Sequence, residues 1–421
     1  MISKILSITL LLIGTIQNVF SQPSMIYNLN RHGVREARDT SSREGGSILL
    51  KSAYERLYTK GKHLRDMYPT LLSSSYNPSE IRVNSSSWER TITTANGILA
   101  GLYLQNDTRS IPVYSTPLDF DYIIFNYDKC PKYDTLWEEF KLTNEWKQKV
   151  IKYSNLTSYL NNLIKPKTNI TLSNIFSTWD LYWIQNNRPE EGILLPPIDT
   201  YTYQLLTEAI NWVETMRYSS RISGNYLGST LLGDIKYRMD RFKNKVSSQR
   251  WISSSGHYAN ILNIFASLGY TGKVSQNIPD YNSVLTFELY NKSGNINFKS
   301  GWSVKIKYWD GLPNDNSTSI TLGNCIEGQD CEIDYDTFWS NCKTKNLKEW
   351  CDDCNSNLFI CKVAFPDNII ITKNIYDTIN DTDKIQIAIL SFVVLLVVIG
   401  MYQVFKKRPL DKEENISLNQ V

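Results

Sequence analysis

Histidine is scarce in this chain: His32, His63 and His257 are the three imidazoles among 421 residues. None falls in the cysteine-rich stretch, which argues against the mixed Cys/His zinc knuckle that Cys351-x-x-Cys354, with Cys342 and Cys361 nearby, would otherwise suggest. An excess of one charge is also missing. The formal net charge of +3 over the whole length leaves no electrostatic footprint for a nucleic acid. No internal repeat is evident.

Cysteine is sparse and oddly distributed. Cys130 stands alone, while Cys325, Cys331, Cys342, Cys351, Cys354 and Cys361 crowd the last stretch before an apolar run. The pattern reads as disulfides in an oxidising compartment. The count of seven leaves one thiol free or paired between two chains of a homodimer.

What is present at the ends agrees with export. MISKILSITLLLIGTIQNVFSQ carries one lysine before an apolar run, with Val19 and Ser21 where a signal peptidase reads, so residues 1–21 are expected to be a signal peptide. Residues 385–405, IQIAILSFVVLLVVIGMYQVF, have the length and lack of charge of a transmembrane helix. Lys406, Lys407 and Arg408 follow at once and place the 406–421 tail in the cytosol. The expectation is a single-pass type I membrane protein of the lysosomal/endosomal membrane or the cell surface. Seven Asn-x-Ser/Thr sequons, at Asn84, Asn106, Asn155, Asn169, Asn291, Asn316 and Asn380, lie in the expected lumenal part.

Along the mature chain, MIYNLN (25–30) is a short extended run that ends directly in RHGVR. Residues 48–72 show helical spacing interrupted at Gly61, predicting two helical pieces. A strand at 80–84 and a helix through WERTITTANGILAGLYL follow. From 133 to 244 the chain is rich in Trp, Tyr and Asn with helical periodicity and few strand signals, which predicts a helical insertion. Its aromatic run at 176–184 reads as core packing rather than a sugar-stacking platform. RWISSS then predicts a strand, ILNIFASLGY a helix, and 283–291 with 302–311 a strand pair closing the sheet. Residues 364–384 lack a period and read as a stalk.

The charges that carry chemistry collect at the ends of predicted strands. Arg31, His32 and Arg35 share one turn, Arg90 opens a helix, and His257 follows a later strand. Guanidinium forks match phosphate oxygens bidentately and keep their charge. A neutral imidazole among them is a competent nucleophile toward phosphorus. His63 lies inside a helical stretch and reads as structural.

Arg31-His32-Gly33-Val34-Arg35 after a strand resembles the RHGxR signature of the histidine acid phosphatases. IRVNSSSWERTITTANGILAGLY resembles that family's stretch carrying the third phosphate-clamping arginine, here Arg90 before Thr91. LYTKGKHL, the stretch leading to Cys130, and the late strand pair resemble further landmarks, so the likeness spans roughly residues 24–335. It implies an α/β fold with a phosphoglycerate-mutase-like central mixed sheet flanked by helices. In that layout 22–132 and 245–363 form the phosphatase domain around the 133–244 insertion. It also implies phosphomonoester hydrolysis through a phosphohistidine on His32, with Arg31, Arg35 and Arg90 binding phosphate and His257 stabilising the transition state. No metal and no cofactor are expected.

One departure stands out. The family's general acid is an aspartate directly after the second histidine, or in one branch a glutamate two positions after it. Here Tyr258 and Ala259 stand there. The proton for the leaving group then comes from Tyr258, a far weaker acid than a carboxylic acid, or from a carboxylate such as Glu36, Asp39 or Glu89. The third reading is a catalytically impaired pseudophosphatase that binds phosphorylated ligands at a surface. For the enzyme, activated aryl phosphates are expected to be better substrates than alkyl phosphates.

Overall fold

The computed structural model describes residues 22–36, 48–103, 111–187, 193–311, 317–326 and 329–364. The expected signal peptide, transmembrane segment and tail, with all of the stalk but its first residue, lie outside them, as do Asp39, Asn106, Asn316 and Asn380. Among the described residues no helix is long and apolar enough to cross a membrane.

Eight strands form one mixed sheet: β1 (Met25–Arg31), β2 (Ile81–Ser86), β3 (Val113–Thr116), β4 (Trp251–Gly256), β5 (Val284–Asn291), β6 (Trp302–Trp309), β7 (Ser317–Ser319) and β8 (Ile333–Asp334). The order is β3-β2-β4-β1-β5-β6-β7, with β8 also on β6. Strands β1 to β4 run parallel, and β5 joins β1 antiparallel. Strand β1 is buried along its whole length, as expected of a central strand covered on both faces. The late pair β5 and β6 is antiparallel over eight residues, but it does not close the sheet. The short β7 and β8 extend it beyond β6. Runs of two or three residues carry too little alternation to be read from sequence.

Two helices cover one face: α1 (Lys51–Met67) and α2 (Glu89–Leu102). Leu57 and Leu64 of α1 pack with Ile98 and Leu99 of α2 onto Ile26, Ile81, Val83 and Trp251 of the sheet. The break expected at Gly61 is absent; α1 is continuous through it. Gly61 is instead where the two helices touch. A Cβ there would sit 2.1 Å from the Ile98 carbonyl oxygen, and one at Gly101 2.0 Å from that of Tyr58. Backbone this close admits no side chain, so Gly61→Ala is expected to cost about 1–3 kcal/mol or more. Urea unfolding of the full chain measures it, and an unchanged midpoint would show that α1 and α2 can slide apart.

Between β3 and β4 the chain is helical: α3 (Pro131–Phe140), α4 (Asn144–Lys152), α5 (Ser154–Ile164), α6 (Ile175–Asn187), α7 (Thr200–Tyr218) and α8 (Ser229–Lys243). Trp146, Leu160, Trp179, Tyr182 and Ile210 build an apolar cluster of their own there, so the aromatic run at 176–184 is core. Helix α9 (Tyr258–Leu268) follows β4 and is capped by Gly269 at φ +68°. Near the end come α10 (Tyr335–Ser340), α11 (Leu347–Cys354) and α12 (Phe359–Ala364).

Cys130 does not stand alone. It bonds Cys354 of α11, with Cys325–Cys331 and Cys351–Cys361 completing three disulfides. Cys342 is the free thiol, half-buried and held protonated by burial, which pushes it up to about 12. The Cys130–Cys354 link spans 224 residues. Removing it as the Cys130→Ser/Cys354→Ser pair should lower stability by about 2–5 kcal/mol, read as a fall in the denaturation midpoint. No fall would mean that helix packing alone fixes α11.

Of the sequons among the described residues, Asn155, Asn169 and Asn291 are exposed. Asn84 lies inside β2, with its side-chain oxygen accepting from Arg82 Nε at 3.0 Å.

Candidate active site

Three parallel strands, β1, β2 and β4, end side by side, and the expected residues stand at those carboxyl ends. In open α/β sheets this edge is where ligands bind. Arg31 is the last residue of β1, His32 the next; Arg90 sits in the first turn of α2 just after β2; His257 directly follows β4. Segments far apart in sequence thus meet because their strands are neighbours. The His32 and His257 rings lie 5.3 Å apart, centre to centre.

His32 is buried, with Nδ1 2.8 Å from the Gly33 carbonyl oxygen. A carbonyl only accepts, so the neutral ring carries its proton on Nδ1 and leaves Nε2 bare. Burial, then the charges of Arg90, His257, Arg31 and Arg35, hold the His32 pKa well below its ordinary value. The loop is tied to α2 as well. Gly33 N–H donates to Thr94 Oγ1 at 2.8 Å, and that hydroxyl donates to the Arg90 carbonyl at 2.7 Å. His257 Nε2 is 3.2 Å from Ser86 Oγ, which lies 2.8 Å from Thr91 Oγ1, and its backbone N–H donates to Asn260 Oδ1 at 2.9 Å.

The arginines are not equivalent. Arg31 is buried, donates from one terminal nitrogen to the Pro279 carbonyl at 2.5 Å, and lies 3.7 Å from the Tyr281 ring centre. Arg90 lies against Trp88, 4.7 Å from its ring centre, and depresses the His32 pKa more than any other charge. Arg35 is opposed by a carboxylate that its sequence neighbours do not announce. Asp180 of α6 pairs with it at 3.0 Å and accepts from Tyr281 OH at 2.9 Å. The 133–244 segment thus supplies Arg35 with a buried counter-ion.

Tyr258 is the first residue of α9, so its backbone stands beside His257. Its ring stacks on Phe176, 5.7 Å between centres at 18°, and its hydroxyl donates to Glu214 Oε2 of α7 at 2.6 Å. Burial, then the Glu214 charge, raises the Tyr258 pKa well above its ordinary value. Such a phenol holds its proton tightly and directs it at Glu214. Of the other carboxylates considered, Glu89 is exposed on α2, and Glu36 meets Arg35 through its backbone carbonyl. His63 lies edge-on to Trp309, 5.4 Å between centres. Among the described residues no group of His, Cys, Asp or Glu could hold a metal ion.

Comparison with known proteins decides the class. A family model described as the histidine phosphatase superfamily, branch 2, matches residues 17–308. The chain belongs to that family. It is 24% identical over 293 residues to human lysosomal acid phosphatase, covering 64% of this chain and 67% of that one. Human prostatic acid phosphatase is 23% identical over 293 residues, covering 63% and 73%. Among solved structures, the phytase of Klebsiella sp. ASR1 superposes with a TM-score of 0.58 at 13% identity, covering 76% of this chain and 94% of that one. At that identity the likeness shows the shared fold alone. The enzyme class that follows from family and relatives is phosphoric monoester hydrolase, of the histidine acid phosphatase type.

Sequence reasoning missed Asp180, Glu214 and Tyr281, which lie on α6, on α7 and before β5. Each looks like an ordinary helix or loop residue in its own window. A buried carboxylate is informative once its cationic or phenolic partner is known, and that partner is distant in sequence.

Proposed function

We propose that the protein hydrolyses phosphomonoesters by in-line transfer of the phosphoryl group to His32 Nε2 and then to water, outside the cytosol. In this reading Arg31, Arg35 and Arg90 hold the phosphate oxygens and His257 stabilises the charge that develops on them. The observation that carries it is the His32 tautomer: the Gly33 carbonyl takes Nδ1, leaving Nε2 unprotonated among cationic groups. As phosphorus is attacked, the P–O bond to the leaving group breaks and Nε2 bonds phosphorus. Water reverses the exchange by attacking phosphorus and releasing the imidazole. Supporting it are the family match and the placement of all five groups on one sheet edge.

The missing carboxyl group beside His257 sets the substrate range. With the Tyr258 proton committed to Glu214, leaving groups that depart as stable anions are favoured, aryl phosphates above alkyl phosphates. Equal kcat on a phenyl and an ethyl phosphate would contradict this. The layout proposed with it is a lumenal or extracellular domain, with residues 133–244 as an insertion, held by residues 385–405 in a lysosomal/endosomal membrane or at the cell surface. A homodimer is compatible with that layout.

Two measurements test the chemistry. Rapid mixing of the full chain with labelled aryl phosphate, quenched in base, should leave label on the peptide bearing His32. Continued turnover with no label there would sink the proposal. The second is pH. His32 must be neutral to attack and its pKa lies well below about 6.5, so kcat/KM for an aryl phosphate should persist as pH falls through that value. Loss of activity centred at about 6.5 would mean an ordinary exposed imidazole.

A further inference from the structure

The amino ends of β2 and β4 form the opposite edge of the sheet from His32, about 20 Å away along six-residue strands. Here Ser79, just before β2, and Gln249, just before β4, border an open cleft of about 420 Å³. Its walls carry Arg82 of β2, Arg238 and Arg241 of α8, and the hydroxyls of Ser247 and Ser248. The local sequence explains the placement. Along β2, Ile81 and Val83 face the apolar layer under α1 and α2, so Arg82 and Asn84 fall on the other face.

Arg82, Arg238 and Arg241 bring three guanidiniums to one cleft. No carboxylate lines it. Asp234 of α8 is held at 3.2 Å by Arg238 Nε and also accepts from Tyr27 OH at 2.9 Å, so this carboxylate already faces two donors. Arg82 spends Nε on Asn84 and lies 4.0 Å from the Tyr114 ring centre. Arg241 donates from a terminal nitrogen to Tyr237 OH at 3.3 Å. Burial lowers the Arg82 pKa from its ordinary value, and the charge of Arg238 adds a smaller repulsion in the same direction. An anion between the forks would relieve that repulsion and accept from several donors at once.

We propose that this cleft is a second anion site, built for a small soluble molecule bearing a phosphate or sulfate group and separate from the phosphatase centre. Its volume is on the scale of a small-molecule site. None of its residues takes part in the chemistry at His32, so the inference stands apart from the proposed function.

The test uses the full chain in detergent with inorganic sulfate, which is not turned over. Modification of Arg82 and Arg241 by an arginine-specific dicarbonyl reagent, followed by peptide mass, should slow about tenfold when sulfate reaches ten times its dissociation constant. Calorimetric titration should show one sulfate equivalent fewer in the Arg82→Gln/Arg241→Gln chain than in the wild type. Aryl phosphate turnover should be equal in both, which also shows that the variant folds. Unchanged modification rates under saturating sulfate, or unchanged stoichiometry in the variant, would overturn the proposal. Protection by anionic lipid vesicles but not by sulfate would also overturn it, in favour of a membrane-facing patch.

Discussion

His32→Ala should abolish both the base-stable label and turnover of an aryl phosphate, with kcat falling by at least ~10³-fold. No other described side chain stands ready to replace it. His257 comes nearest, 5.3 Å away, but its Nε2 is engaged near Ser86 and Thr91. Fold loss is an unwelcome explanation for any such deficit, and it can be excluded by melting behaviour, because the His32 ring bonds to the carbonyl of its own neighbour Gly33, and the backbone bonds of His32 to Gly256 and Asn282 survive the substitution. Retained turnover above ~10% of wild type would show that phosphate passes directly to water and that the imidazole only positions it.

Tyr258→Asp is expected to have the largest gain. It restores a carboxylic acid directly after His257, and alkyl phosphate turnover should rise ~10²–10⁴-fold while aryl phosphate turnover changes little. The substitution has a physical cost that must be controlled. Glu214 is buried and would lose the phenol donor at 2.6 Å, leaving two carboxyl groups near each other. Tyr258→Asp/Glu214→Leu removes that conflict, so the double variant should match or exceed the single one on alkyl phosphates. If neither variant gains, the leaving group receives its proton from another residue, and Asp180 beside Arg35 is the first to replace.

Much of this site was legible in the sequence, and the reason is local. Arg31, His32 and Arg35 fit one turn because a buried strand, MIYNLN, ends where they begin. Arg90 and His257 follow their own strands in the same way, and parallel neighbours bring like ends together. Helix α9 was visible from the apolar face of Ile261, Leu262, Ile264, Phe265 and Leu268. What the sequence hid depends on distant pairs. Gly61 read as a helix break because its contact with α2 is not in its own window, and glycine in isolation weakens a helix. Asp180 and Glu214 drew no notice in the sequence because their partners, Arg35 and Tyr258, lie far from them along the chain. Cys130 looked solitary because its partner lies 224 residues on.

The bridge between Cys130 and Cys354 also changes how damage to this molecule would look. A peptidase that cut the chain once, say in the largely exposed stretch 165–169, would leave both pieces joined by sulfur. Such a clipped molecule would run as one band without reductant and as two with it, and its sheet could stay assembled with His32 on one piece and His257 on the other.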